Sequence, residues 1–532
     1  MSNRRRGEGG RSAKIAERKK SEQIDPPRYL TRNIKCYDML SEAELSKIDD
    51  HVDWILKEVG LEFWDDQESL NLFKEAGATV KGSHVRFDKG LIQNLCKTAP
   101  SEFEMLARNP KRSTIFGGNK LVLGPAYGSP FVYDLKGGRR QGNMQDFNNL
   151  IKLSHMSPWL HHTSGTNCEP VDIPVNKRHL DMVYSHIKYS DKPFMGSVTA
   201  LDRVEDSINM ARIVFGDDVL DKNCVIQGNI NVNSPLVYDK TMTDALKGYA
   251  RANQGVVITP FILGGAMSPV TMPAAIAQAH AETLVGVALT QLVRPGCSAV
   301  YGNFLTTMDL KSGAPTFGTA ESSLATYAVG QMARRVRLPF RAGGHYTASK
   351  VADAQAMQES VDSMYPAILA GANFMHQAAG WLEGGLVVGY EKFILDCDRL
   401  GMLHRMFEGL TIDENSLATS AFMENAPGEN FLGTQHTAEN FETANYRAEL
   451  PDNNSYEQWV EDGSKDSEQR AYERWNQMLE EYEEPPLDES IDEALIDYMA
   501  KKKESMADEW YWTLSPTARL IPSGAGSFLC AL

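Results

Sequence analysis

Apolar positions early in the chain recur at helix spacing. Leu45, Ile48, Val52, Ile55, Leu56 and Val59 share one helical face behind Ser41-Glu42-Ala43-Glu44, whose ends read as a capping box. This predicts a small N-terminal helical cap over residues 35–112. A β-rich piece follows from Lys120 to Leu135, with turn signals at Gly128-Ser129-Pro130 and Gly137-Gly138. The pattern then becomes rhythmic. Short apolar or β-branched stretches fall at Leu121–Leu123, Leu160–Thr163, Phe194–Val198, Val225–Ile230, Val256–Leu263, Ser298–Phe304, Leu338–Ala342 and Asn373–Ala378. They are separated by roughly 30–40 residues that contain helical patterns.

Eight strands alternating with helices predict an α/β fold, a (β/α)8 TIM barrel over residues 113–415. An open doubly wound sheet is the competing arrangement. The strand ends favour the barrel, because they run into Gly165-Thr166-Asn167 with Glu169, Asn229 to Asn233, Gly302-Asn303-Phe304, Gly343-Gly344-His345-Tyr346 and Trp381 to Gly385. Barrel active sites gather at that face. After Asn415, Tyr456, Trp459, Tyr472 and Trp475 predict a C-terminal helical extension over 416–510, with an acidic stretch from Glu480 to Glu493 and a loose tail over 511–532.

Composition narrows the function classes. With 532 residues, 42% of them hydrophobic, the chain can bury a large core. Its formal charge is −16, although eight Lys and Arg crowd the first twenty residues, read as a disordered basic arm over 1–34. The acidic remainder repels phosphate backbones, so no nucleic-acid partner is expected. No apolar stretch follows the arginines as in a signal peptide, and the charge-free run Val256 to Ala277 holds Pro260, Pro269 and Pro273. That run reads as strand, loop and helix start, and no membrane association is expected. Seven scattered cysteines, never in a CxxC arrangement, predict reduced thiols in a cytoplasmic protein.

His161, His162 and Cys168 are zinc-type ligands in a spacing that matches no common site, so no bound metal is expected. The chain has no GxSxG nucleophile elbow, no GxxxxGK[ST] phosphate loop and no GxGxxG between a strand and a helix. What remains is an aromatic-rich barrel mouth: Tyr127, Phe131, Phe304, Tyr346 and Trp381, beside Glu169 and Glu383. Aromatic faces with a carboxylate suit a permanent organic cation, because a quaternary ammonium has no N–H to donate and is held by cation–π attraction. Aromatic residues at strand ends also serve plain packing.

Several long strings are more specific. Gly128-Ser129-Pro130-Phe131-Val132-Tyr133-Asp134, Gly313 to Glu321, Ala333-Arg334-Arg335 with Leu338-Pro339-Phe340-Arg341, Asp353-Ala354-Gln355-Ala356, Ala379 to Leu386, Glu391 to Asp396 and Phe431 to Thr437 occur in one order. On these strings the chain resembles the trimethylamine methyltransferase (MttB) superfamily over roughly residues 35–480. The resemblance implies a TIM barrel that moves a methyl group from a methylated amine to the cobalt of a corrinoid (cobalamin) carried by a separate small protein. Members acting on trimethylamine carry pyrrolysine, whose counterpart falls near Gly344-His345-Tyr346. No such residue stands here, which points away from trimethylamine. Attack by Co(I) on a quaternary ammonium expels a neutral amine that needs no proton, so the expected substrate is a quaternary amine, first of all glycine betaine.

The resemblance assigns roles. Phe304, Tyr346 and Trp381 form the cation cage, His345 and Tyr346 sit beside the transferred methyl, and Glu383 orients the pocket or offsets the ammonium charge. Glu169 and Tyr127 line the site, and Arg341 or Lys350 meets a betaine carboxylate. His436 lies in a matching string without an assigned role, and Asn440 stands where relatives place a second histidine. Two rivals remain: a zinc-dependent corrinoid methyltransferase of the same fold and a non-catalytic betaine-binding protein. Family members tend to associate, so a homo-oligomer is expected.

Overall fold

The computed structural model of the chain describes residues 26–510. Most of the expected basic arm and the expected tail over 511–532 lie outside them. Leu30–Thr31, counted with the arm, pairs antiparallel with Leu121 and Lys120. Helix α1 (Glu42–Trp54) starts where the sequence reading put it: Ser41 accepts from the Glu44 N–H and the Glu44 carboxylate accepts from the Ser41 N–H. The helix loosens into a π-turn over Ile55–Val59 and stops at Gly60, whose φ of 76° an L side chain resists. Strands Leu61–Phe63, Thr79–Lys81 and His84–Arg86 follow, so the expected helical cap region mixes helix and sheet.

The body is α/β. Strand β1 (Lys120–Leu123) leads into a hairpin of β2 (Phe131–Asp134) and β3 (Gly138–Gln141), and then into helices α2 (Met144–Met156), α3 (Arg178–Tyr189) and α4 (Leu201–Phe215). Alternation follows: β4 (Gln227–Val232), α5 (Lys240–Arg251), β5 (Gly255–Gly264), α6 (Met272–Val293), β6 (Ala299–Gly302) and β7 (Phe304–Met308). After them come α7 (Ala320–Arg335), β8 (Phe340–Ala342), α8 (Ala354–Leu369) and β9 (Phe374–Met375). Trp381–Leu382 (β10) and Val387–Gly389 (β11) then precede the long helix α9 (Tyr390–Glu408).

Strands β4, β5, β6, β8, β9 and β1 lie side by side and parallel, with β7 parallel to the far half of β5. Every residue of β5 is buried, as a strand covered on both faces requires. Its helix partner α6 is apolar nearly all round and buried from Ala275 to Gln291, so it forms the centre of the packing rather than a surface. The run Val256 to Ala277 is thus strand, loop and helix start, as its prolines predict. Among the described residues no helix is long and apolar enough to cross a membrane.

Two expected strands do not form ladders. At Leu160–Thr163 and Phe194–Val198 the chain makes single contacts instead: the His161 N–H donates to Leu123 O (2.9 Å), Thr163 to Pro193 O (3.0 Å), Met195 to Ser164 O (2.8 Å) and Gly196 to Gln227 O (3.1 Å). The causes are local. Ser164 has φ 64°, and Pro193 has no N–H to give. Lys192, buried, holds this segment by donating to the carbonyls of Ser154, Ser157 and Leu160 at 2.7–2.8 Å.

Toward the C-terminus, helices α10 (Ser467–Glu480) and α11 (Glu489–Glu504) pack on the body. Trp475 lies 4.7 Å from Tyr390, centroid to centroid, and donates to the Glu391 carboxylate, while Tyr498 donates to Asp206. Between α9 and α10 the chain behaves differently. Over residues 409–446 only Ala421 and Thr434 are buried.

Candidate active site

Beyond the carboxyl ends of the parallel strands, four aromatic rings meet. Phe304 opens β7, Phe317 sits on the loop before α7, Tyr346 follows β8, and Trp381 opens β10. Phe304 stacks on Tyr346 at 5.1 Å, Trp381 lies 4.9 Å from Tyr346 and 6.0 Å from Phe304, and Phe317 is 5.2 Å from Tyr346 and 5.9 Å from Trp381. Two glycines make room. A Cβ on Gly343 would fall 1.7 Å from the Tyr346 ring and one on Gly385 2.4 Å from the Trp381 ring, so each ring folds over its own chain. Phe317 stands in a quoted string but was not singled out, because a loop position carries no strand periodicity to flag it.

Arg341, on β8 and 1% exposed, runs beneath this cluster. It donates to Asn303 O (2.7 Å) and to Gln377 Oε1 (2.7 Å), and its guanidinium lies 5.3 Å from the centre of the Phe304 ring. The Tyr346 hydroxyl donates to the same Gln377 oxygen at 3.1 Å. Among the described residues the buried Arg341 Nε and Trp381 Nε1 donors make no hydrogen bond. Buried donors are normally satisfied, so each of these two leaves a hydrogen bond unmade within the protein.

The other expected residues lie elsewhere. Neighbouring His345 and Tyr346 serve different surroundings: the His345 Nδ1 meets Ala378 O at 2.7 Å and Asp396 at 3.4 Å, the latter also paired with Lys392 (2.5 Å). Burial, reinforced by Lys392, holds His345 well below the usual histidine range, so the ring is neutral. Glu383 is tied by a bidentate pair to Arg139 (2.8 and 3.1 Å), and that guanidinium in turn covers the Phe131 ring at 3.7 Å. Lys350 is exposed and donates to Ala348 O. Glu169 is buried in a pair with Arg178 (2.9 Å), and Tyr127 stacks on His376 at 5.2 Å. Tyr127 and Arg178 border a separate cavity with His179, His186, Met195 and Arg203. His436 and Asn440 lie within 409–446, where His436 meets Asn415 O at 2.8 Å.

His161, His162 and Cys168 do not converge. His161 faces His404 at 5.1 Å, His162 faces Phe374 at 5.4 Å, and Cys168 packs beside Gly142. Among the described residues no group of three or more His, Cys, Asp or Glu is arranged to hold a metal ion. The sequence reading did miss an interior pair. His162 and His376 are both wholly buried and driven to low pKa by desolvation, His162 to about 3. His376 Nε2 meets Met195 Sδ at 3.0 Å while its Nδ1 makes no hydrogen bond, and the Gln227 Oε1 beside His162 is likewise unpaired. The sequence reading weighed His162 only beside His161 and Cys168, and only the fold brings it near His376.

Comparison with known proteins now bears on these residues. The model of the trimethylamine methyltransferase (MTTB) family matches residues 4–507. The chain belongs to this family. It is accordingly a methyltransferase, and the match reaches beyond the residues whose strings carried the resemblance. Among curated relatives, the glycine betaine methyltransferase of Desulfitobacterium hafniense (strain Y51) is 38% identical over 474 residues, covering 89% of this chain and 98% of that protein. The proline betaine:corrinoid methyltransferase of Eubacterium limosum is 29% identical over 68% of this chain and 76% of its own length. The crystal structure of the Methanosarcina barkeri monomethylamine methyltransferase (MtmB) superposes with a TM-score of 0.50 at 10% identity, over 89% of this chain and 93% of that one, which is a likeness of fold alone.

Proposed function

We propose that the chain transfers a methyl group from glycine betaine to the Co(I) of a corrinoid held by a partner protein. The observation that carries this reading is the pairing of four packed aromatic rings with two buried, unpartnered donors, Arg341 Nε and Trp381 Nε1. Ring faces attract a permanent cation and strong donors attract a carboxylate, so the two features together suit a zwitterion. The relatives named for glycine betaine and proline betaine act on zwitterions of that kind. We also read the bridging contacts through His161, Thr163, Met195 and Gly196 as closing the parallel strands into an eight-stranded barrel whose mouth holds the site.

The residues then divide the work. Phe304, Phe317, Tyr346 and Trp381 receive the trimethylammonium, and Phe304, the partly exposed ring, yields to admit it. Arg341 fixes the carboxylate, with Gln377 and the Asn303 carbonyl fixing Arg341. The Arg139–Glu383 pair shapes the rim rather than offsetting the ammonium. His345, turned to Asp396, sets the backbone turn that presents Tyr346, while Tyr127 and Glu169 support the neighbouring wall. The corrinoid supplies the nucleophile: Co(I) takes the methyl carbon, the C–N bond breaks, and nitrogen keeps the electron pair. The leaving amine is neutral and takes no proton, which fits a cluster without a positioned acid or base. The protein's contribution is orientation and exclusion of water.

The test is the visible spectrum of reduced cobalamin mixed with purified protein and, in turn, glycine betaine, proline betaine, carnitine and trimethylamine. Glycine betaine is expected to convert Co(I) to the methylated form fastest, with dimethylglycine as co-product. Faster conversion with another amine overturns the substrate assignment. No conversion with any of them, even with a corrinoid protein added, overturns the activity.

A further inference from the structure

The Tyr346 and Trp381 rings are the closest pair of the four-ring cluster, at 4.9 Å, yet they hang from two different turns. No ladder joins those turns. Strand β8 pairs with β6 and β9, whereas β10 pairs with β11. A side chain of α9 reaches both. The Asp396 carboxylate accepts from the Gly380 N–H at 2.9 Å, just before Trp381, and lies 3.4 Å from His345 Nδ1, just before Tyr346. Because His345 Nδ1 also meets Ala378 O at 2.7 Å and the ring is neutral, that nitrogen carries the proton, donating to the carbonyl with the carboxylate beside it. The turn it braces has little slack: Gly380 stands at φ 89°, and a Cβ there would meet Val388 at 3.0 Å and Phe393 at 3.2 Å.

Lys392, one helical turn earlier on α9, donates to both Asp396 oxygens at 2.5 and 2.6 Å, and Asp396, Lys392 and His345 are each at most 1% exposed. Desolvation pushes the Asp396 carboxyl up and Lys392 opposes it, so a charge is kept where burial disfavours one. Stability alone does not call for this pair. Apolar side chains of the same volume fill such a space about as stably, but they offer no directional bond that fixes a turn. We infer that Asp396 is a positioning residue: by holding the Gly380 and His345 turns to one carboxylate it sets the spacing of the Trp381 and Tyr346 rings, and with it the size of ammonium group that the cage selects. The inference rests on the reading of the four rings as a cation cage. Rings on turns that are free to part accept a broader cation, whereas rings held at one spacing discriminate against it. Lys392 acts one step further out, by keeping Asp396 an acceptor.

The test is calorimetric binding of tetramethylammonium and tetraethylammonium to the full chain, in the wild type and in an Asp396→Asn, Lys392→Met double variant that removes both charges together. The wild type is expected to prefer tetramethylammonium at least about tenfold, and the double variant to bring the two cations within about threefold of each other. Loss of folded protein does not imitate this result, because it weakens both cations by the same factor and leaves their ratio unchanged. A double variant that keeps the wild-type ratio, or a wild type without a preference, overturns the inference and leaves the cage reading standing. A wild type that binds neither cation overturns the cage reading and this inference with it. Should the double variant not fold, hydrogen exchange on the wild type decides: the segment 378–382 is expected to be protected as strongly as α9, and exchange at the rate of exposed loops overturns the inference.

Discussion

The aromatic cluster and residues 409–446 use similar side chains to opposite ends. Phe304, Phe317, Tyr346 and Trp381 come from four points that β7, β8, β10 and the loop before α7 hold in place, and they stack within 4.9–6.4 Å of one another. Phe422, Met423, Phe431 and Phe441 come from short helices with no sheet behind them, and apart from the Phe422–Phe431 contact at 5.3 Å they face solvent. A rigid scaffold fixes aromatic residues in a preorganised cluster, whereas short helices without a sheet behind them leave such residues on the surface.

The largest expected effect breaks the first half of this contrast. Trp381→Ala or Tyr346→Ala removes a ring that touches three others, and kcat/KM for glycine betaine is expected to fall at least about a hundredfold, equivalent to roughly 3 kcal/mol. Tyr346→Phe keeps the ring and loses only the hydroxyl, which donates to Gln377 and accepts from Arg341 Nη2 (3.5 Å), and is expected to stay within about tenfold of wild type. Steady-state kinetics on the three variants separates ring from hydroxyl. Next, Arg341→Met is expected to raise KM for glycine betaine by tens of fold while leaving binding of carboxylate-free tetramethylammonium within a few fold. An equal loss for both ligands would make Arg341 a structural residue.

A third prediction concerns the body that carries the cluster. Glu282 on α6 is buried, accepts from the Leu236 N–H (2.7 Å), Ser234 Oγ and Gln278, and is pushed up to about 7 by desolvation. A carboxyl whose folded pKa is raised favours the folded state below its unfolded value near 4.5, and that advantage is lost as pH rises to about 7. Melting temperatures are therefore expected to decline over that interval in the wild type and to stay flatter in Glu282→Gln, with the wild type losing about 3 kcal/mol of stability across it. Parallel profiles would contradict the assignment. The smallest effect is at the rim. Arg139→Ala removes a partly exposed pair with Glu383 and is expected to cost under about 1 kcal/mol in stability and a few fold in kcat/KM.

The sequence carried the fold unevenly. Strand β5 and helix α6 were legible because a fully covered strand and a fully covered helix leave continuous apolar runs. The segments at Leu160 and Phe194 carry the same residue types, yet Ser164 and Pro193 interrupt their ladders, which periodicity does not register. In the site, Phe304, Tyr346, Trp381 and Arg341 were named beforehand and do meet, but the opposite facing of adjacent His345 and Tyr346 depends on the turn after β8. The unpaired donors of Arg341 and Trp381, and the apposition of His162 and His376, exist only once distant strands are side by side. After Asn415, Tyr456, Trp459, Tyr472 and Trp475 suggested a helical extension packed on the body. Trp475 does lie on Tyr390 of the body, whereas residues 409–446 are almost wholly exposed, because residue type alone does not say which apolar side chains find a neighbour.

The central claim is that the clustered rings hold a cation by its charge. Calorimetric binding of glycine betaine against its uncharged-carbon isostere, 3,3-dimethylbutanoate, tests it most directly, since the two share shape and carboxylate and differ only in the central nitrogen. Glycine betaine is expected to bind at least about tenfold more tightly, the contribution of a desolvated cation–π contact, whereas equal affinity, or tighter binding of the carbon isostere, would contradict the account.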